Sequence, residues 1–200
     1  AFAMASGLSD FLAPDVCPLG ILVTPAPAPR VLDGFQMFVA GHPVPTAQSL
    51  AAGRAILDLL ASCDGHTLVF FLLSGGGSAL VELPLDPSLT LDDIQSLNRL
   101  LVTCGAPIDE INAVRKHLSA VKGGRLAAAA PLSTKLTFGV SDVPVGRESA
   151  LASGPTLPDP TTVADAYRVI DQYALLAKLP PRLRALFDRR ALTETPKPGD

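Results

Sequence analysis

Charge is scarce in this sequence: 18% of its 200 residues are charged, and the formal net charge is −3. A chain so balanced has no electrostatic footprint for nucleic acid or for an anionic membrane surface. An anionic substrate must therefore be held by a local cluster, not by the overall field. Cysteine is scarcer still. Cys17, Cys63 and Cys104 are odd in number, widely spaced and without a CxxC pair. They read as reduced thiols, most of them packing groups, in a cytoplasmic protein. No cluster of His, Cys and acid has zinc-like spacing. No apolar stretch approaches the length of a transmembrane helix, and the opening AFAMASGLSDFL lacks the basic start and long apolar run of a signal peptide.

What is present is apolar substance. Hydrophobic residues make up 48% of the chain and the mean hydropathy is +0.36, enough for one sizeable core. The segments 19–24, 35–41, 67–73 and 135–142 have the short apolar character of strands, and 67–73 runs without a polar residue after Thr67, as in a strand buried on both faces. Helical spacing covers 1–12, 49–63, 90–105, 108–121, 162–173 and 181–190, with a short helix at 123–130. Thr90 is the expected N-cap of the 90–105 helix and Gly105 its stop. Strands alternate with helices and none is followed by a hairpin turn. That order predicts an α/β fold, a Rossmann-like three-layer α/β/α sandwich around a mostly parallel sheet. The closing TETPKPGD is polar and proline-bearing, so 1–190 is expected to be the domain and 191–200 a linker within a longer protein.

Ligands of open parallel sheets sit beyond the carboxyl ends of the strands. SGGGSA (74–79), SDVPVG (141–146) and AGHPVP (40–45) occupy such places. Gly75, Gly76 and Gly77 leave backbone N–H groups bare for an anion, and Ser74 and Ser78 add hydroxyls. A tight turn needing positive φ is the plain alternative, which three glycines between two serines outweigh. The loop is neither a Walker A sequence, nor GxGxxG, nor GxSxG. On the helix that follows, Asn112, Arg115 and Lys116 are three- and four-residue neighbours, with Lys122 just beyond, so an amide, a guanidinium and two ammonium groups gather for a polyanion. A solvated basic face would look similar. His117 reads as a packing or capping residue. Asp142, at a strand end, is placed to hold Mg2+ or accept a proton, or else to start an Asx turn. His42, between glycine and proline, either shapes the site or turns the chain.

Taken together, GHPVPTAQSLAAGRAIL, LLSGGGSALVELP, IDEINAVRKHLSAVKGGRLA, SDVP and ASGPTLPDPTT resemble the class II glycerate kinases, the glycerate 2-kinase (MOFRL) family, whose bacterial members carry the older label hydroxypyruvate reductase. The resemblance implies phosphorylation of D-glycerate to 2-phosphoglycerate with ATP and Mg2+, in a cleft between a Rossmann-like first domain and a C-terminal MOFRL domain of the same parent chain. It implies that Ser74 to Ser78 bind phosphate or substrate, that Arg115, Lys116 and Lys122 neutralise charge, and that Asn112 and Asp142 orient substrate or metal. The family's Gly-Lys-Ala motif would place its lysine just before Ala1, and the acid that follows SDVP in the family is replaced here by Val145-Gly146-Arg147. On its own this piece is expected to be inactive. An NAD(P)H-dependent hydroxypyruvate reductase and a non-catalytic organic-phosphate-binding module are the alternatives. Neither a nucleic-acid nor a membrane partner is expected, and an assembly of two copies stays open.

Overall fold

The computed structural model describes residues 1–13 and 15–199; Pro14 and Asp200, the last residue of the expected linker, lie outside the described residues. Strand β1 (Gly20–Thr24) pairs in parallel with β2 (Phe35–Val39), and β3 (Leu68–Ser74) pairs in parallel with β4 (Thr134–Val140). The α/β class and the parallel pairing are as expected. The strands are hydrogen-bonded as two ladders, though, instead of one sheet, and β1 meets β3 through side chains: Leu22 and Leu72 belong to the same apolar cluster.

Helix α1 (Phe2–Phe11) covers one face of the ladders, packing Phe2 and Ala5 against Leu22, Met37 and Leu72. On the opposite face, α2 (Ala47–Ala61) brings Ala52 and Ile56 to Val23, and Leu60 to Phe71. The short α3 (Gly77–Leu80) follows the glycine run and buries Leu80 on the same side. β3 was expected to be buried on both faces, but only Phe71 is fully buried, and Leu68 at its start is exposed.

The remaining helices form a lobe of their own. They are α4 (Leu91–Thr103), α5 (Ile108–Leu118), α7 (Val163–Gln172) and α8 (Pro181–Asp188), with the short α6 (Arg125–Ala128) linking the lobe to the ladders. Two capping boxes set where chains enter it. Thr90 Oγ1 accepts from the Asp93 N–H at 3.3 Å while Asp93 accepts from the Thr90 N–H at 2.9 Å, and Thr162 with Asp165 repeats the pattern at 3.2 and 2.9 Å. Gly105, at φ 84°, ends α4 in the left-handed conformation. Leu97, Leu101, Val114, Ile170 and Leu183 then close the core of the lobe. Each such side chain contributes roughly 1.5–3 kcal/mol by leaving water.

The tail expected as a linker lies against the body. Thr195 is buried and donates to Asp159 at 3.0 Å, and the Pro196 carbonyl accepts from the Asp159 N–H at 3.0 Å. Cys63 and Cys104 pack at the edges of apolar clusters, whereas Cys17 is exposed. Among the described residues no helix is long and apolar enough to cross a membrane.

Candidate functional site

The carboxyl end of β3 runs into the glycine loop, and the reason for its glycines is local crowding. Gly76 adopts φ 82°, and a Cβ there would stand 2.9 Å from the imidazole of His42. A Cβ on Gly75 would collide with the Asp142 carboxylate. The bare backbone thus lets the 40–45 loop and the 141–146 loop close over the strand end from two sides. His42 and Asp142 flank the turn.

The second wall comes from α5. Asn112, one turn in, and Arg115 border the same cleft as Gly76, Ser78 and Asp142, a space of about 280 Å³. Ser78 Oγ lies 2.8 Å from Ser153 Oγ, which donates to Asn112 Oδ1 at 3.2 Å. A hydroxyl–hydroxyl–amide chain therefore spans from the glycine loop to the helix. Ser153 was quoted in the sequence within SGPT but not assigned to the site. It is delivered by a turn in which Ala152 (φ 51°), Ser153 (φ 63°) and Gly154 (φ 59°) are all left-handed. Non-glycine residues seldom adopt that conformation without a structural demand.

Arg115 Nε donates to Asn98 at 2.7 Å, and its two terminal nitrogens hold no hydrogen bond among the described residues. Burial pulls its guanidinium below the ordinary value, opposed by the Glu82 carboxylate nearby. The group stays cationic and is aimed by a fixed partner, which suits a planar anion.

Lys116 and Lys122, expected beside Arg115 on a substrate-facing surface, do not line the cleft. Helical periodicity turns Lys116 away from Arg115 into the protein, where its ammonium meets Asp159 at 3.1 Å. Lys122 is buried against Glu82 at 2.6 Å and also donates to the Val81 carbonyl at 3.3 Å. Burial lowers the Lys122 ammonium from its ordinary value, Glu82 opposes that, and the charge of Arg115 adds to it. For Asp159, burial pushes the carboxyl up, but Lys116 and hydrogen bonds from Thr161 outweigh it and hold it below the usual carboxylate range. These pairs are braces: Glu82–Lys122 ties the segment behind the glycine loop to the segment after α5, and Lys116–Asp159 ties α5 to the turn after SGPT. His117 is buried, with Nδ1 2.7 Å from the Ala113 carbonyl and Nε2 3.4 Å from Glu194, as expected of a packing histidine.

Two cleft residues escaped the sequence reading. Asp109, in the first turn of α5, and Arg147 form an ion pair across the mouth. Asp142 has no ion pair among the described residues, which hold no cluster of three or more His, Cys or acid groups able to bind a metal alone. Mg2+ is commonly held by one or two carboxylates with substrate phosphates and water supplying the rest. Asp142, beside the Arg147-paired Asp109 in a cleft of about 280 Å³, fits that ion arriving with a nucleotide.

A family described as a domain of unknown function, DUF4147, matches residues 1–188. A protein of Agrobacterium vitis bearing the hydroxypyruvate reductase label is 42% identical over 202 residues, covering 99% of this chain and 44% of that protein. The glycerate 2-kinase of Pyrococcus horikoshii is 39% identical over 189 residues, covering 94% and 42%. A crystal structure of glycerate kinase from Thermotoga maritima aligns with a TM-score of 0.75 at 41% identity, over 84% of this chain and 39% of that one. The chain spans less than half the length of these relatives.

Proposed function

Because the chain belongs to the DUF4147 family, that of glycerate 2-kinase N-terminal domains, we propose that it forms the first part of a glycerate 2-kinase, with a further C-terminal domain in the parent protein. The reaction is transfer of the γ-phosphoryl group of ATP to the 2-hydroxyl of D-glycerate: a new P–O bond forms, the bond to ADP breaks, and the hydroxyl proton is released. One observation carries this reading, the convergence of Gly76, Ser78, Asn112, Arg115 and Asp142 on one cleft. Phosphoryl transfer asks a protein mainly for positioning and for charge on the transferring oxygens.

In this reading the glycine-loop amides and the Ser78 hydroxyl hold phosphate oxygens. Arg115 carries the fixed positive charge, and Asn112, aligned by Ser153, orients the glycerate. Asp142 would hold a nucleotide-borne Mg2+, which would supply charge neutralisation. Lys116 and Lys122 act as positioning residues through their buried pairs. Incubating the parent protein with D-glycerate, ATP and Mg2+ should give 2-phosphoglycerate and ADP in equal amounts. Consumption of NADH with hydroxypyruvate, without ATP turnover, would instead establish the reductase reading; the glycine loop, lacking GxGxxG, speaks against it.

A further inference from the structure

The two faces of the ladders are not equally covered. Parallel register places Phe70 beside Leu136, Leu72 beside Phe138 and Ser74 beside Val140, all on the face that α1 covers further along. α1 reaches Leu72 but goes no further. Beyond it Leu136, Phe138 and Val140 are 44%, 51% and 62% exposed, and Phe138 stacks on Phe70 with ring centroids 6.2 Å apart. Leu68, at the near end of β3, extends the same apolar strip. On the opposite face α2 and α6 close over Val69 and Phe71 of β3, and the exposed β4 positions there, Thr137 and Gly139, carry no large apolar side chain. Parallel strands occur almost only with both faces covered, and the covering elements are helices. Among the described residues no helix remains to do this, because α4, α5, α7 and α8 spend their apolar faces on one another.

We infer that the strip formed by Leu68, Phe70, Leu136, Phe138 and Val140 is the seat of an amphipathic helix from the same parent chain, outside residues 1–200. The inference rests on the reading that the chain is part of a longer protein, as its relatives' lengths suggest. The strip continues the interface that α1 already makes, so one more helix beside α1 completes the outer layer.

Thiol labelling of the parent protein tests this, with Phe138→Cys as its one cysteine. If the helix is seated, the introduced thiol should react about a hundredfold slower in the native protein than in urea, at every protein concentration. Val140→Cys, a smaller change, should behave alike and serves if the first variant does not fold. A native rate within about threefold of the unfolded rate would overturn the inference. So would protection lost on dilution, which would mean that a second copy covers the strip. An intact mass of 20.7 kDa for the encoded protein would overturn the longer-chain reading itself; a longer protein whose introduced thiol reacts freely would overturn the covering helix alone.

Discussion

In the helical lobe Leu97, Leu101, Val114 and Leu183 are sealed from water, whereas on β4 the equally apolar Leu136, Phe138 and Val140 stand open to it. Both regions are strongly apolar, and the difference is one of available partners. Four helices of one stretch of chain can close on each other, but a parallel ladder needs helices on both sides, and here the apolar side chains of β3 facing α2 are covered while those of β4 on the α1 face are not. The cleft lies where these regions meet, with the glycine loop and Asp142 from the ladder side and Asn112 and Arg115 from the lobe. The buried pairs Lys116–Asp159 and Lys122–Glu82 hold the two together.

The largest effect should come from the lobe's contribution to the cleft. Arg115→Ala in the parent protein is expected to lower kcat/KM for phosphorylation about a thousandfold, read by ADP release. Arg115→Lys should recover little of it, since an ammonium lacks the planar fork. A loss below tenfold would move the site's positive charge elsewhere.

Next come the braces. Asp159→Ala leaves the buried Lys116 ammonium without its partner and should cost about 3–5 kcal/mol in urea denaturation. Replacing both members by apolar residues should restore most of that. An Asp159→Ala loss no greater than that of an exposed pair would mean that the brace is not structural.

The comparison of the two regions sharpens with a matched pair of truncations. Leu97→Ala should destabilise by about 2–5 kcal/mol, and Phe138→Ala in the 200-residue chain by less than about 1 kcal/mol. Equal losses would contradict the difference in cover.

The smallest effect is acid sensitivity. Asp159 is held below its ordinary value by Lys116 and Thr161 against the effect of burial, and Asp165 by hydrogen bonds from Thr162. With such carboxyls the folded state binds fewer protons than the unfolded one. Their stabilisation is present above about pH 4 and is lost as the pH falls below it. The urea midpoint should therefore fall between pH 5 and pH 3, and by less in Asp159→Asn.

Local pattern revealed most of the elements, because strand character, capping and helical spacing are properties of neighbours. Thr90 and Thr162 mark their helix starts in four residues each, and the glycine run marks the loop at the end of β3. The lysine pairs were hidden for the opposite reason: Asp159 is 43 residues from Lys116 and Glu82 is 40 from Lys122, so only the fold brings them together. A cationic cluster on paper became one cleft-facing guanidinium and two buried braces. Ser153 was equally out of reach, since its role depends on a left-handed turn that the letters ASG do not specify. The bare face of β4 was missed because an apolar run shows what wants burial, not whether a partner is at hand.

A crystal structure of the parent protein with D-glycerate most directly tests the claim that the glycine loop and α5 form one substrate cleft. The carboxylate and 2-hydroxyl of the ligand should lie within hydrogen-bonding distance of Arg115, Asn112 or Ser78, with the hydroxyl facing the glycine-loop amides. Glycerate held elsewhere, with the Gly76–Asn112 cleft unfilled, would contradict it.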